Sequence, residues 1–208
     1  MYVTLNYYNK EKALIRTKPR IIYLPVTVSC RTYMEYKITI YQPTKTDPKV
    51  RFTLGTAGSK PLFVIGLNPS TANDKDPDPT MRKVLGFASR HGCDSFVMFN
   101  LYPQRTTDPS KLHKILDDKL HNENISHIMN ILNKYKVISI LAAWGGTIRK
   151  RDYFKKCISD IYNKTKNKKI SWLKIGELTR SGHPRHPSRA AYSALTKFDI
   201  DNYLITTD

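Results

Sequence analysis

From residue 61 onward, short and largely apolar runs alternate with amphipathic stretches. Pro61 to Gly66, Ser95 to Asn100, Val137 to Trp144 and Ile170 to Ile175 are too short for buried helices and lack the alternation of a half-exposed strand. Such runs predict strands covered on both faces, as in a parallel sheet. Between the first two, Asp78 is placed as an N-cap with Pro79 at the first helical position, Met81, Val84, Leu85 and Ala88 recur at helical spacing, and Gly92 is a stop. A long helix is predicted from about Ser110, with Leu112, Ile115, Leu116, Leu120, Ile128 and Leu132 facing the core and an interruption near Asn122 to Asn124. A basic helix over Thr147 to Tyr162 and a last helix from about Ser188 complete the alternation. Upstream, Ile21 to Val26 reads as one strand, and Tyr33 to Tyr41 with Val50 to Leu54 as a hairpin.

This order predicts a three-layer α/β/α fold with a mostly parallel central sheet over residues 61–208, preceded by a basic N-terminal extension, residues 1–60, that carries the hairpin. The 208 residues suffice for one α/β core. No apolar run approaches 18 residues, so no membrane span is expected. The start Met1-Tyr-Val-Thr-Leu-Asn lacks a basic n-region and apolar h-region, so a cytoplasmic location is expected. Cys30, Cys93 and Cys157 form no C-x-x-C pair, and Asp74, Asp76 and Asp78 lack the glycine and terminal Glu of a calcium loop. Neither a metal nor another cofactor is expected.

Charge changes the picture more than composition does. The net charge is +18, and it is uneven: residues 1–60 carry 11 Lys and Arg against 3 Asp and Glu, residues 61–135 carry 9 against 8, and residues 136–208 carry 15 against 6. A near-neutral middle between two basic thirds predicts a catalytic core flanked by polyanion-binding surfaces. Double-stranded DNA is the expected partner, held by a monomer, with affinity falling steeply as salt rises.

Four strands end in polar or glycine-rich turns: at Asn68, at Asn100, at Trp144-Gly145-Gly146, and in the loop to His183 and His186. In a doubly wound sheet such ends converge on one edge, where the site is expected. Asn68 before Pro69 also suits a plain turn, and Asn100 a strand-end cap. Phe87 and Phe99 fit either the core or stacking on a base. Arg149 and Lys150, after the Trp-Gly-Gly end, are candidates for phosphate, whereas the lysines from 164 to 169 read as a solvated turn.

Taken in order, Gly66-Leu-Asn-Pro-Ser70, Phe96-Val-Met-Phe-Asn100, Leu141-Ala-Ala-Trp-Gly145 and His186-Pro-Ser188 resemble the motifs of the uracil-DNA glycosylase superfamily over about residues 61–198. The string with Asn-Pro-Ser-Thr-Ala, the Asp-Pro-Thr helix start and Gly-His-Pro-Arg-His-Pro also resembles the family known as domain of unknown function 1643. The first resemblance implies that Asn68 positions the hydrolytic water, Asn100 reads the edge of a flipped base, and His186 donates to the base as it departs. Ser188 would then grip a DNA phosphate with Arg185 and Arg189 beside it, and His183 would lie with the base. Glycosidic cleavage develops negative charge on the base, so donors aimed there help most. The base must also leave the stack, which needs phosphate clamps and a snug pocket.

The chain departs from the uracil-specific branch in two informative ways, at Ser70 and Ala190, while Asn68 matches the Asn of the mismatch-specific branch. Ser70 stands where the uracil-specific branch has a bulky Tyr, which implies room for a 5-substituted pyrimidine. Asn68 can orient a water but cannot deprotonate it. Ala190 stands where a wedge Leu would fill the hole left by the flipped base, leaving Arg189 or the extension for that task. The doubled His-Pro allows two registers, of which the one using His186 continues into Pro-Ser. The reading is a monofunctional DNA glycosylase, a hydrolase excising a modified pyrimidine, with hypermodified phage cytosines such as glucosylated hydroxymethylcytosine as one substrate class and antiviral defence as a role. A non-catalytic nucleic-acid binder on the same scaffold and a nucleoside or nucleotide hydrolase are the rival readings.

Overall fold

The computed structural model describes residues 14–17, 20–23, 34–43 and 47–206. The chain divides into two units, Met1–Thr32 and Tyr33–Asp208. In the first, β1 (Leu14–Thr17) and β2 (Arg20–Tyr23) pair antiparallel. The remainder of the strand expected up to Val26 lies outside the described residues.

The second unit is α/β, built on a seven-stranded mixed sheet. Its strands are β3 (Ile40–Pro43), β4 (Arg51–Gly55), β5 (Pro61–Gly66), β6 (Ser95–Asn100), β7 (Ile138–Ala142), β8 (Ile170–Ile175) and β9 (Leu195–Lys197), ordered β3-β4-β6-β5-β7-β8-β9. The central four are parallel, while β3, β4 and β9 are antiparallel additions at the edges. The expected hairpin is β3 with β4, and Leu54 opposite Met98 joins it to the sheet, which therefore extends upstream of residue 61. Residues 34–39, expected as strand, precede β3 without regular structure.

Along β5, period two divides the core. Leu62 and Val64 pack with Met81, Val84 and Phe87 of α1 (Pro79–Arg90). Phe63 and Ile65 pack with Ile125 and Ile128 of α2 (Asp118–Leu132), Phe154 and Ile158 of α3 (Tyr153–Thr165), and Tyr203 of α4 (Ile200–Thr206). Each such large side chain contributes roughly 1.5–3 kcal/mol by leaving water.

Helix α1 starts as its sequence demands, with Asp78 Oδ1 accepting the Met81 N–H at 2.9 Å. The helix predicted from Ser110 does not. Pro109–Lys111 forms a separate 3-10 turn, and α2 begins only where Asp117 caps the Leu120 N–H at 3.0 Å. Ile115, assigned to the core, is 84% exposed. No interruption occurs at Asn122 to Asn124; Asn124 is buried and its Nδ2 donates to the Asn100 carbonyl at 2.9 Å, closing the end of β6. The basic helix is split into a 3-10 turn, Gly146–Lys150, and α3. Arg151, between them, donates to the carbonyls of Ser110, Leu112 and His113 at 2.6, 2.7 and 2.8 Å, which the straight helix would prevent. The helix predicted from Ser188 is instead a 3-10 turn (Pro187–Arg189), then β9 covering the β8 edge, then α4. Among the described residues no helix is long and apolar enough to cross a membrane.

Candidate functional site

Strands β5 and β7 run parallel and release the chain at the same sheet edge, after Gly66 and Ala142. The loop after β8 returns to that edge. A cavity of about 500 Å³ opens there. One wall is Leu67, Asn68 and Ser70; a second is Trp144 to Thr147; a third is Thr179 with Arg185, His186, Ser188 and Arg189. Thr106 and Thr107, downstream of β6, supply the fourth. The described lining contains two arginines and no carboxylate, which suits an anionic ligand.

Asn68 is fixed by its amide nitrogen. Nδ2 donates to the carbonyls of Thr106, Pro69 and Gln104 at 2.8, 3.0 and 3.4 Å. Carbonyls only accept, so these partners settle which end of the amide is nitrogen and leave Oδ1, an acceptor, for a ligand or water. The loop carrying Asn68 is braced from behind by two arginines. Arg51, 2% exposed, donates Nη1 to the Ala72 carbonyl, and Arg105 Nε donates to the Ser70 carbonyl at 3.3 Å. Burial, with the neighbouring Arg105 charge, pulls the Arg51 guanidinium down to about 10.

His186 caps the Pro187–Arg189 turn. The Ser188 backbone N–H donates to His186 Nδ1 at 3.4 Å, and Ser188 Oγ lies 2.8 Å from the same nitrogen. A backbone N–H can only donate, so Nδ1 accepts and the ring proton sits on Nε2. Burial, then the Arg189 charge, hold the imidazole below its ordinary pKa, while Asp78 opposes them. His186 is therefore a neutral donor near pH 7. Its approach depends on Gly145, whose φ of 68° and ψ of −179° exclude most side chains. A Cβ at Gly145 would also stand 3.1 Å from His186 Cβ.

Of the residues singled out by sequence, Asn68, Ser70, Arg185, His186, Ser188 and Arg189 thus share one cavity. Six do not line it. Asn100 is 1% exposed, with its side chain lying against Gly66, because the strand end turns it into the sheet rather than outward. Phe87 is core, packed beneath Tyr192 at 5.1 Å between ring centroids, and Phe99 is core against Phe63. His183, 7% exposed, has Nδ1 2.9 Å from Tyr203 Oη and lines a different cavity with Arg149. Lys150 lines neither of these two cavities. The bonds of the Thr179 carbonyl to the Gly182 N–H and of the Thr179 N–H to the His183 carbonyl, both 2.8 Å, close a tight turn that aims the two histidines apart.

Sequence reasoning missed Thr106, Thr107, Thr179, Arg51 and Arg105. The polar run Gln104 to Thr107 after a buried strand was the available signal. Arg51 had none, since nothing in its neighbours marks a buried guanidinium.

A cavity at the carboxyl edge of parallel strands, walled by an oriented amide and a neutral imidazole donor, defines an α/β protein with a candidate ligand site at its strand ends. Residues 51–188 match the model of the family described as "Protein of unknown function (DUF1643)", and the chain belongs to that family. No curated protein and no solved structure matches the chain.

Proposed function

We propose that the protein is a monofunctional DNA glycosylase on a three-layer scaffold resembling the uracil-DNA glycosylases, flipping a 5-substituted pyrimidine out of duplex DNA and hydrolysing its N-glycosidic bond. The observation that carries this reading is that Asn68, with its Oδ1 acceptor left over, and His186, with its Nε2–H donor left over, line one cavity. As the C1′–N1 bond breaks, its electron pair passes to the base. His186 Nε2–H stabilises the anion on the base, and a water oriented by Asn68 adds to C1′, leaving an abasic sugar and a base that takes up the water's proton. Because the Asn68 amide is no base, the rate rests on leaving-group stabilisation. Arg185, Arg189 and Ser188 line the same cavity, where they hold phosphate. The volume of about 500 Å³, with Ser70 in its wall, leaves room for a substituent on the base. Hypermodified phage cytosines are the substrate class that fits, which makes antiviral defence in the cytoplasm the role.

The test is to incubate the protein with duplexes containing uracil, mismatched thymine, hydroxymethylcytosine or glucosylated hydroxymethylcytosine, then cleave abasic sites with alkali. Breaks at a modified cytosine, lost in His186→Ala, are expected. Salt-sensitive binding without a break on any substrate leaves a non-catalytic binder.

A further inference from the structure

The turn Gly146–Lys150 serves two cavities. Gly146 and Thr147 line the first, and Ile148 and Arg149 line a second of about 290 Å³. Ile148, Ile158 and Leu204 give the second cavity an apolar bed. His183 enters it with one ring nitrogen spoken for: Nδ1 is bonded with Tyr203 Oη at 2.9 Å, which leaves Nε2 for a ligand. The imidazole is 7% exposed and is kept neutral by burial and by the Arg149 charge. Of the cations lining the cavity, Arg151 is consumed by backbone carbonyls, whereas Arg149 makes no hydrogen bond or ion pair among the described residues. With Arg149 and Arg151, Lys155 brings the lining to three positive charges against Asp152 alone.

Apolar bed, neutral imidazole and unpaired guanidinium ask for a ligand with three parts: a flat apolar body, a polar edge and an anionic group. Inorganic phosphate would leave the bed unused, and a fatty acid would leave His183 Nε2 without a partner. The geometry points to a second ligand site here that takes a nucleotide unit, its base on Ile148, Ile158 and Leu204, its polar edge at His183, and its phosphate at Arg149 and Lys155. The unit is either a free mononucleotide or one nucleotide of a strand bound at the first cavity. The two cavities are joined by one chain of bonds, because Trp144, which lines the first, donates Nε1–H at 3.1 Å to the same Tyr203 Oη that holds His183. Occupancy of the second site is therefore felt at the Trp144 indole.

The experiment titrates thymidine 5′-monophosphate, thymidine and inorganic phosphate into the Trp172→Phe protein, following Trp144 emission. It needs no excision, so it stands or falls separately from the glycosylase reading. Saturable binding of the monophosphate is expected, with thymidine and phosphate each at least about tenfold weaker, since each lacks one part of the ligand. Arg149→Ala should weaken the monophosphate about tenfold by removing its charged hydrogen bond, while Lys164→Ala, an exposed lysine outside both cavities, should not. No saturable binding, equal binding of phosphate alone, or weakening by Arg185→Ala and not by Arg149→Ala overturns the proposal. A thymidine tetranucleotide binding more than about tenfold tighter than the monophosphate assigns the ligand to a strand, and equal affinity assigns it to a free nucleotide; both sustain the site.

Discussion

His183 and His186 are separated by two residues and serve two different cavities. Around His186 the polar groups face space: its Nδ1 is held by Ser188, its Nε2–H is left over, and arginines stand in the surrounding wall. Around His183 they face each other, in the bonds from Trp144 to Tyr203 and from Tyr203 to His183. The difference teaches that a short polar motif is not one cluster. Beside a Thr179-centred turn, one histidine lines the first cavity and its neighbour packs against Tyr203 of α4.

The largest separation between the two regions is expected in the excision rate. His186→Ala should cost about 10²–10³ by removing a donor to the developing anion, and His183→Ala less than about tenfold. Equal losses in single-turnover excision would break the contrast. Next comes the glycine that admits His186. Gly145→Ala should destabilise the fold by about 1–3 kcal/mol in urea unfolding, from backbone strain and the 3.1 Å approach. It should lower excision as well, since the imidazole must shift. Reversing the pairing, His183→Ala should cost about 1–3 kcal/mol of stability through a lost buried hydrogen bond and an emptied ring site, with His186→Ala costing less. The smallest effect is with pH. Burial holds His127, His183 and His186 below the ordinary 6.5. The unfolded chain therefore takes up protons first as pH falls, so the contribution is intact above about 6.5 and lost below it. The melting temperature should drop as pH falls from about 6.5 to 5.5, and a slope unchanged in His186→Gln and His183→Gln would assign it elsewhere.

How much of this was legible depended on whether a signal was local. Strands β5 to β8 were, because each is written as a short, largely apolar run, unbroken in β5. Helix α1 was, because Asp78 and Pro79 state its start. The span from Ser110 misled because Ile115 fell on a helical period, although Asp117 carried the true cap. Arg151 could not be placed, since its three carbonyl partners lie about 40 residues upstream in the chain. In the site, Asn68, His186 and Ser188 were readable as polar groups at strand ends. Asn100 met the same criterion and lies inside, since a strand end does not say which way its last side chain turns. Thr106 and Thr179 come from loops whose paths no periodicity fixes.

Helix α1 touches both principal walls of the first cavity. Its cap Asp78 ends the loop that begins at Asn68, and Lys83 Nζ donates to the Ala190 carbonyl at 2.9 Å, just past His186. Tyr192 lies over Gly86, where a Cβ would stand 2.4 Å from its hydroxyl, and Lys83 and Arg90 approach its ring at 4.2 and 3.8 Å. Mechanically, the helix is a strut shared by two jaws. The segment that follows Asn68 and the segment that follows His186 are thus both fastened to one helix.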